Sequence, residues 1–391
     1  MNNSSLCTEA GYVSLNKYGE QLCGDRVEQA SNEECSILVL ADGLGSGVKA
    51  NILSTLTSKI LCTMIEGGMP IEECIDTIAA TLPVCKVRGV AYSTFTIIRV
   101  VRNRMVELIQ FDNPAVIALR GGQRFDYPVT TRTVEGKTIH ESRFPVEEND
   151  LFIAMSDGAP FAGVGTAFNY GWTRDNIIDF AEANYLPESS AKYVAGNIAE
   201  ECNRLYGGQP GDDTTIAVVR IRARQSVNLV IGPPSTPDQD IKMMNLFFAK
   251  EGEKIVCGGT TSSVAARYLG KKVIPTIDYP DPEVPPISRI EGVDLVTEGV
   301  VTISKVLKIA QDCLKGCNLD GDWLTKKDGA SLIAQALIER ATDINFFVGK
   351  AINPAHQNPD LPITFGIKIQ LIDSLADALE KLGKRIKVSY F

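Results

Sequence analysis

The chain has 391 residues, 44% hydrophobic and 22% charged, with a net charge of −9 at pH 7. That length favours two domains with full cores. The acidic balance, with no block of Lys or Arg, argues against nucleic acid or an anionic membrane as the main partner. The longest apolar stretches fall short of the roughly 18–20 residues a membrane span requires. The start, MNNSSLCTEAGYV, lacks a basic-then-apolar signal pattern, so a soluble cytoplasmic protein is expected.

Apolar or alternating β-rich runs fall at 36–41, 93–101, 105–111, 115–120, 151–155 and 214–221. Helical periodicity fits 47–66, 71–81, 175–184 and 189–206. Short turns join 93–101, 105–111 and 115–120. This predicts an antiparallel meander with helices laid over the sheets, not βαβ units. A seam near 222–227 ends the pattern, so domains are expected at 1–224 and 225–391. Beyond it come NLVIG, a helix over 238–250, KIVCGG, a helix over 261–269, KKVIPTI, DLVTEG and a helix over 302–315. The alternation predicts an α/β domain with a largely parallel sheet. A Pro-rich loop, 278–288, interrupts it. Helices near 328–341 and 370–382 and a last strand, KRIKVSYF, complete it.

Four Gly/Asp turns stand at the ends of predicted strands: Gly24-Asp25, Asp42-Gly43, Asp157-Gly158 and Gly211-Asp212-Asp213. One such turn is ordinary. Four, three of them abutting strongly apolar runs, imply carboxylates gathered at one sheet edge, where a divalent cation relieves their repulsion. The chain has only two histidines, His140 and His356, both in polar, loop-like contexts, so a metal would need oxygen ligands, which points to Mg²⁺ or Mn²⁺. The ten cysteines form no CxxC pair and read as buried reduced thiols. After Asp42, Gly43 has no side chain, so its carbonyl can approach a metal, and Gly45 and Gly47 permit a sharp turn into a helix. GLGSGV fails the dinucleotide template because Val48 stands where a glycine is needed, and no P-loop is present. NLDGDWLTKKDG, 318–329, has Trp323 and Gly329 where a calcium loop requires Gly and Glu.

Taken together, CGD, LADGLGSGVKA, YSTFTIIRV, MSDGAPFAG and GDDTTIAVVRI resemble, in order and approximate spacing, the motifs of PPM-type metal-dependent Ser/Thr protein phosphatases. The SpoIIE-like bacterial branch is the most similar, over about residues 8–222. The resemblance implies an αββα sandwich of two antiparallel sheets with helices outside and a two-metal site in the cleft at one end. Carried over by motif, Asp42 would bridge two Mn²⁺ or Mg²⁺ ions and the Gly43 carbonyl would bind one. Asp25, Asp157 and Asp212 would complete the second ion's shell, with Asp213 the alternative to Asp212. The implied reaction is hydrolysis of phosphoserine or phosphothreonine by water activated between the ions. The implied partner is a phosphoprotein such as a STAS-type anti-anti-sigma factor. Two segments depart from the pattern. APFAGVGTAFNYGWTRDNI, after the MSDG motif, is Gly-rich and aromatic. In FDNPAVIALR, Asp112 and Asn113 read as turn residues. The competing expectation is a weakly active phosphatase-fold sensor or scaffold that binds a partner or small anion. In 225–391, Gly258, Gly259, Thr260 and Thr261 run from a strand into a helix and form a candidate anion site, the other reading being an ordinary Ser/Thr-capped helix start. Without a ligand, this domain is expected to serve interaction or dimerisation.

Overall fold

The computed structural model describes residues 6–32, 34–81, 93–134, 136–165, 167–276, 285–315, 321–351 and 364–391. Tyr92 of the YST motif, His356, Cys85, Cys317 and residues 278–284 of the Pro-rich loop lie outside the described residues. The chain divides into two compact units, residues 1–223 and 224–391. Among the described residues no helix is long and apolar enough to cross a membrane.

The first unit begins with β1 (Leu6–Leu15), β2 (Asp25–Ser31), β3 (Cys35–Gly43), α1 (Gly47–Glu66) and α2 (Ile71–Thr81). Then come β4 (Ser93–Val101), β5 (Met105–Phe111), β6 (Ile117–Arg120), β7 (Gln123–Arg124), β8 (Thr130–Val134), β9 (Lys137–Pro145) and β10 (Asp150–Met155). It closes with α3 (Gly158–Phe161), α4 (Arg174–Ala183), α5 (Ala191–Leu205) and β11 (Thr214–Ala223). The strands form two sheets, β1-β11-β10-β6-β7 and β2-β3-β4-β5-β9-β8, with every described pairing antiparallel.

Strand alternation builds the layers. In β3, Ile37, Val39 and Ala41 pack with Leu61 and Ile65 of α1 and Ile75 and Ile78 of α2. Leu38 and Leu40, on the opposite face, meet Phe152 and Ala154 of β10 and Ala217 and Val219 of β11. Leu151, Ile153 and Met155 of β10 turn instead to Ile177 of α4 and Ile198 of α5. The result is the αββα sandwich. Strands buried on both faces read as continuous apolar runs, which is why β3 and β10 were evident in the sequence. Five strands were not: β1, β2, β7, β8 and β9. β1 carries Glu9 and Gly11, yet Glu9 is paired with Arg222 of β11 at 3.0 Å, and a Cβ at Gly11 would collide with the Lys192 backbone of α5. β2 and β8 are polar edge strands, and Arg132 of β8 is tied to Glu141 of β9 at 2.9 Å.

The second unit contains β12 (Ser226–Ile231), α6 (Gln239–Phe248), β13 (Glu253–Cys257), α7 (Gly259–Leu269), β14 (Ile274–Pro275), β15 (Ser288–Arg289) and β16 (Leu295–Thr297). It continues with α8 (Val300–Leu314), α9 (Gly329–Ala334), β17 (Asp343–Val348), α10 (Thr364–Lys381) and β18 (Arg385–Tyr390). Strands β16, β13, β12, β17 and β18 are parallel neighbours in that order, with β15 and β14 antiparallel at one edge. Leu229 and Ile255 face α8, α9 and α10, whereas Val230 and Val256 face α6 and α7. Two expectations change in detail. The strand over 271–277 shrinks to Ile274–Pro275, because Pro275 cannot donate to a ladder. The helix over 328–341 is α9 followed by a π-helical turn at Gln335–Arg340, where Gln335 Nε2 donates to the Trp323 carbonyl at 2.7 Å.

Leu40, 0% exposed between the two sheets, tests this layering. Leu40→Ala should cost about 2–5 kcal/mol in chemical denaturation, as a cavity sealed by both sheets cannot collapse. A loss well below that range would show that the inter-sheet core relaxes.

Candidate metal centre

Strand ends from both sheets carry the predicted carboxylates. Asp25 opens β2 and Asp42 stands one residue from the end of β3, and the antiparallel register sets them directly opposite. Thr94 of β4 is Asp42's partner on the other side. In the second sheet, Asp157 follows β10, and Asp212 and Asp213 precede its antiparallel neighbour β11.

The buried members are individually held. Asp25 Oδ2 accepts from Ser156 Oγ at 2.7 Å, and that hydroxyl accepts from the Thr215 N–H at 2.9 Å. Asp213 Oδ1 accepts from the Lys17 N–H at 2.9 Å. Asp212 Oδ1 accepts from the Asp213 N–H at 3.1 Å and lies 3.5 Å from Lys17 Nζ. That ion pair is solvent-exposed and weak. Asn113, expected to be only a turn residue, joins Thr94 at 2.5 Å and Thr96 at 3.1 Å, bracing the strand beside Asp42. Asp112 does sit in the turn, at φ 54°.

Gly43 is needed for a reason the sequence did not suggest. α1 crosses the end of β3 so closely that a Cβ there would collide with the Ala50 carbonyl. Gly158 is constrained likewise by the Asp213 carbonyl. Gly45 and Gly47, at φ 97° and 71°, make the expected turn into α1.

Burial, then repulsion from Asp25, Asp157 and Asp212, raises the Asp42 carboxyl well above the ordinary carboxylate range. Burial also raises Asp25, against the lowering effect of the Ser156 and Thr215 hydroxyls and with further repulsion from Asp213 and Asp157. Asp157 is raised by desolvation and then by Asp212. The Cys23 thiol is pushed up by burial and by Asp25 and Asp213, so it is not a reactive thiolate.

Asp25 Oδ1 and Asp213 Oδ2 are buried without a hydrogen-bond partner among the described residues. Orphaned carboxylate oxygens, mutual repulsion and an all-oxygen donor set fit a hard divalent cation. Among the described residues, however, no three His, Cys, Asp or Glu side chains are gathered into a metal-ligand group. Sequence reasoning missed Ser156, Lys17, Thr215 and Cys23; only Ser156, adjacent to Asp157 in MSDG, carried a local signal.

The second candidate site lies in the other unit, at the carboxyl end of β13. Thr261 is buried and its Oγ1 accepts from the Gly232 N–H at 2.9 Å. The hydroxyls of Ser262 and Ser263 donate to the Gly258 and Gly259 carbonyls at 2.9 and 3.0 Å. A Cβ at Gly259 would lie 3.8 Å from Glu298 Oε1. These hydroxyls therefore serve the turn, and a carboxylate stands beside Gly259. Thr260 opens α7 between Gly259 and Thr261.

The raised carboxyls set a sign. Folded-state values above the unfolded ones contribute stability that is present below about pH 4 and lost as pH rises through the folded values. In EDTA the melting temperature should therefore carry a component that falls between about pH 4 and about pH 9, and Asp42→Asn should reduce it. Saturating Mn²⁺ or Mg²⁺ should raise the melting temperature, more so at the higher pH. Absence of any metal-dependent shift would count against these residues as ligands.

A family model described as stage II sporulation protein E (SpoIIE) matches residues 32–222. The curated protein stage II sporulation protein E of Bacillus subtilis (strain 168) is 25% identical over 219 residues, which cover 54% of this chain. The chain spans only 24% of that relative's length. Among solved structures, the PP2C phosphatase domain of SpoIIE from Bacillus subtilis, with a fragment of its regulatory domain, superposes with a TM-score of 0.49 at 23% identity. That alignment covers 56% of this chain and 65% of that one. RsbX in complex with magnesium gives a TM-score of 0.40 at 19% identity, covering 56% of this chain and 98% of that one. Residues 32–222, which hold four of the five ordered motifs on the two sheets, are thus the part of the chain similar to the SpoIIE family.

Proposed function

We propose that the chain is a metal-dependent protein serine/threonine phosphatase acting in bacterial signalling. One observation carries this reading: Asp25, Asp42, Asp157 and Asp212–Asp213, far apart in sequence, converge from two sheets despite their repulsion. In this reading Asp42, Asp25, Asp157, Asp212 or Asp213 and the Gly43 carbonyl would hold the ions, with Asp42 the shared ligand. When bound, Mn²⁺ or Mg²⁺ supplies Lewis acidity and charge neutralisation toward a phosphoryl group. The chain's own residues supply positioning. Ser156, held by the Thr215 N–H, fixes one oxygen of Asp25 and leaves the other free. The Lys17 N–H orients Asp213 in the same way. The substrate class follows from the family: a phosphoserine or phosphothreonine protein, a STAS-type anti-anti-sigma factor being the first to test. A cytoplasmic site of action fits such a substrate.

A second reading, a weakly active phosphatase-fold sensor or scaffold, draws on the carboxylates not being gathered into a ligand group. Hydrolysis of a generic phosphate ester with Mn²⁺, Mg²⁺ or EDTA, followed by a phosphoprotein panel, separates the two. The phosphatase reading expects metal-dependent turnover that Asp42→Asn reduces by on the order of a hundredfold or more, with the fold intact. Turnover in the variant within about tenfold of the parent would remove the bridging role from Asp42. Metal binding without turnover on any substrate would favour the scaffold.

A further inference from the structure

The parallel strands of the second unit run in the order third, second, first, fourth, fifth: β16, β13, β12, β17, β18. The chain order reverses between β12 and β17. In open α/β sheets the crevice outside the carboxyl ends at such a reversal is where ligands bind. Lys368, in the second turn of α10, stands at this place. Its Nζ donates to the carbonyls of Gly349 and Ala351, just past β17, and it abuts Gly232, just past β12. Gly232 is at φ 77°, and a Cβ there would press on Nζ. The Gly232 N–H in turn donates to Thr261 Oγ1 at the start of α7.

Lys368 is unusual in three ways. It lies near the N-terminal end of a helix, where the backbone dipole disfavours a cation. Among the described residues its partners are neutral carbonyls, not a carboxylate, and they occupy two of three ammonium donors. Desolvation lowers its pKa with no compensating charge among the described residues. Such an ammonium is costly unless an anion completes it.

We infer that the carboxyl ends of β12 and β17 bind a phosphate-bearing small molecule, with Lys368, seated against Gly232, as its counter-charge. Lysine supplies a point charge suited to phosphate. The loop after β12, GPPST, has a single glycine, so the dinucleotide template is not met. The site is displaced from the turn at Gly258 and Gly259, where Glu298 would repel an anion. The inference does not depend on the phosphatase reading.

The test uses the full chain carrying Asp42→Asn, in EDTA, titrated calorimetrically with pyrophosphate, ADP and adenosine. Pyrophosphate and ADP should bind, and adenosine should not. Lys368→Met should weaken binding on the order of tenfold, and Lys368→Arg less. Binding indifferent to Lys368→Met, or no binding of either phosphate probe, would overturn the site. If Lys368→Met does not fold, amine labelling of the otherwise unmutated chain read by mass spectrometry decides. Pyrophosphate should protect Lys368, and unchanged labelling would overturn the inference.

Discussion

The first unit is organised around like charges held where they repel. The β2–β3 register sets Asp25 opposite Asp42, and the turns around β10 and β11 add Asp157, Asp212 and Asp213. No local preference would bring these groups together, since each approach raises the cost of ionisation. Backbone pairing and apolar burial on both faces of both sheets force the convergence. The carboxylates are thus placed by the hydrophobic core beneath them, at a local loss of stability that a cation would offset.

That dependence explains why the site's glycines matter sterically. α1 can leave the Asp42 loop and lie back across β3 only because Gly43 offers no Cβ to the Ala50 carbonyl. The helix, the loop and the ligand-bearing strand end are therefore one packed object. Leu61 and Ile65 of α1 seat the same helix on Ile37 and Val39. A shift of α1 against that core would move the Asp42–Gly43 turn with it.

The second unit follows a different logic. Its sheet is parallel and covered on both faces, so function is confined to loops at strand ends. Buried apolar side chains fill the layers, and the chemistry-bearing group that stands out, Lys368, sits where the strand order reverses. Its neutral surroundings contrast with the all-carboxylate site of the first unit.

Much of this was legible in the primary structure. β3, β10 and β11 announced themselves as apolar runs, because strands buried on both faces need no polar alternation. The Gly/Asp turns at their ends marked the site, because a carboxylate next to a buried strand end is costly and seldom incidental. Edge strands β2 and β8 were hidden, since their polar residues are satisfied only by cross-strand partners such as the Arg132–Glu141 pair. Lys17 and Asn113 had no signal of their own, because each acts through a residue distant in sequence. The strand order of the second unit, and with it the position of Lys368, was likewise undetermined by local pattern. Local sequence set which segments are strands and which residues can carry charge. Only tertiary packing decided which charges face one another, since strand register and strand order arise from contacts between segments and not within them.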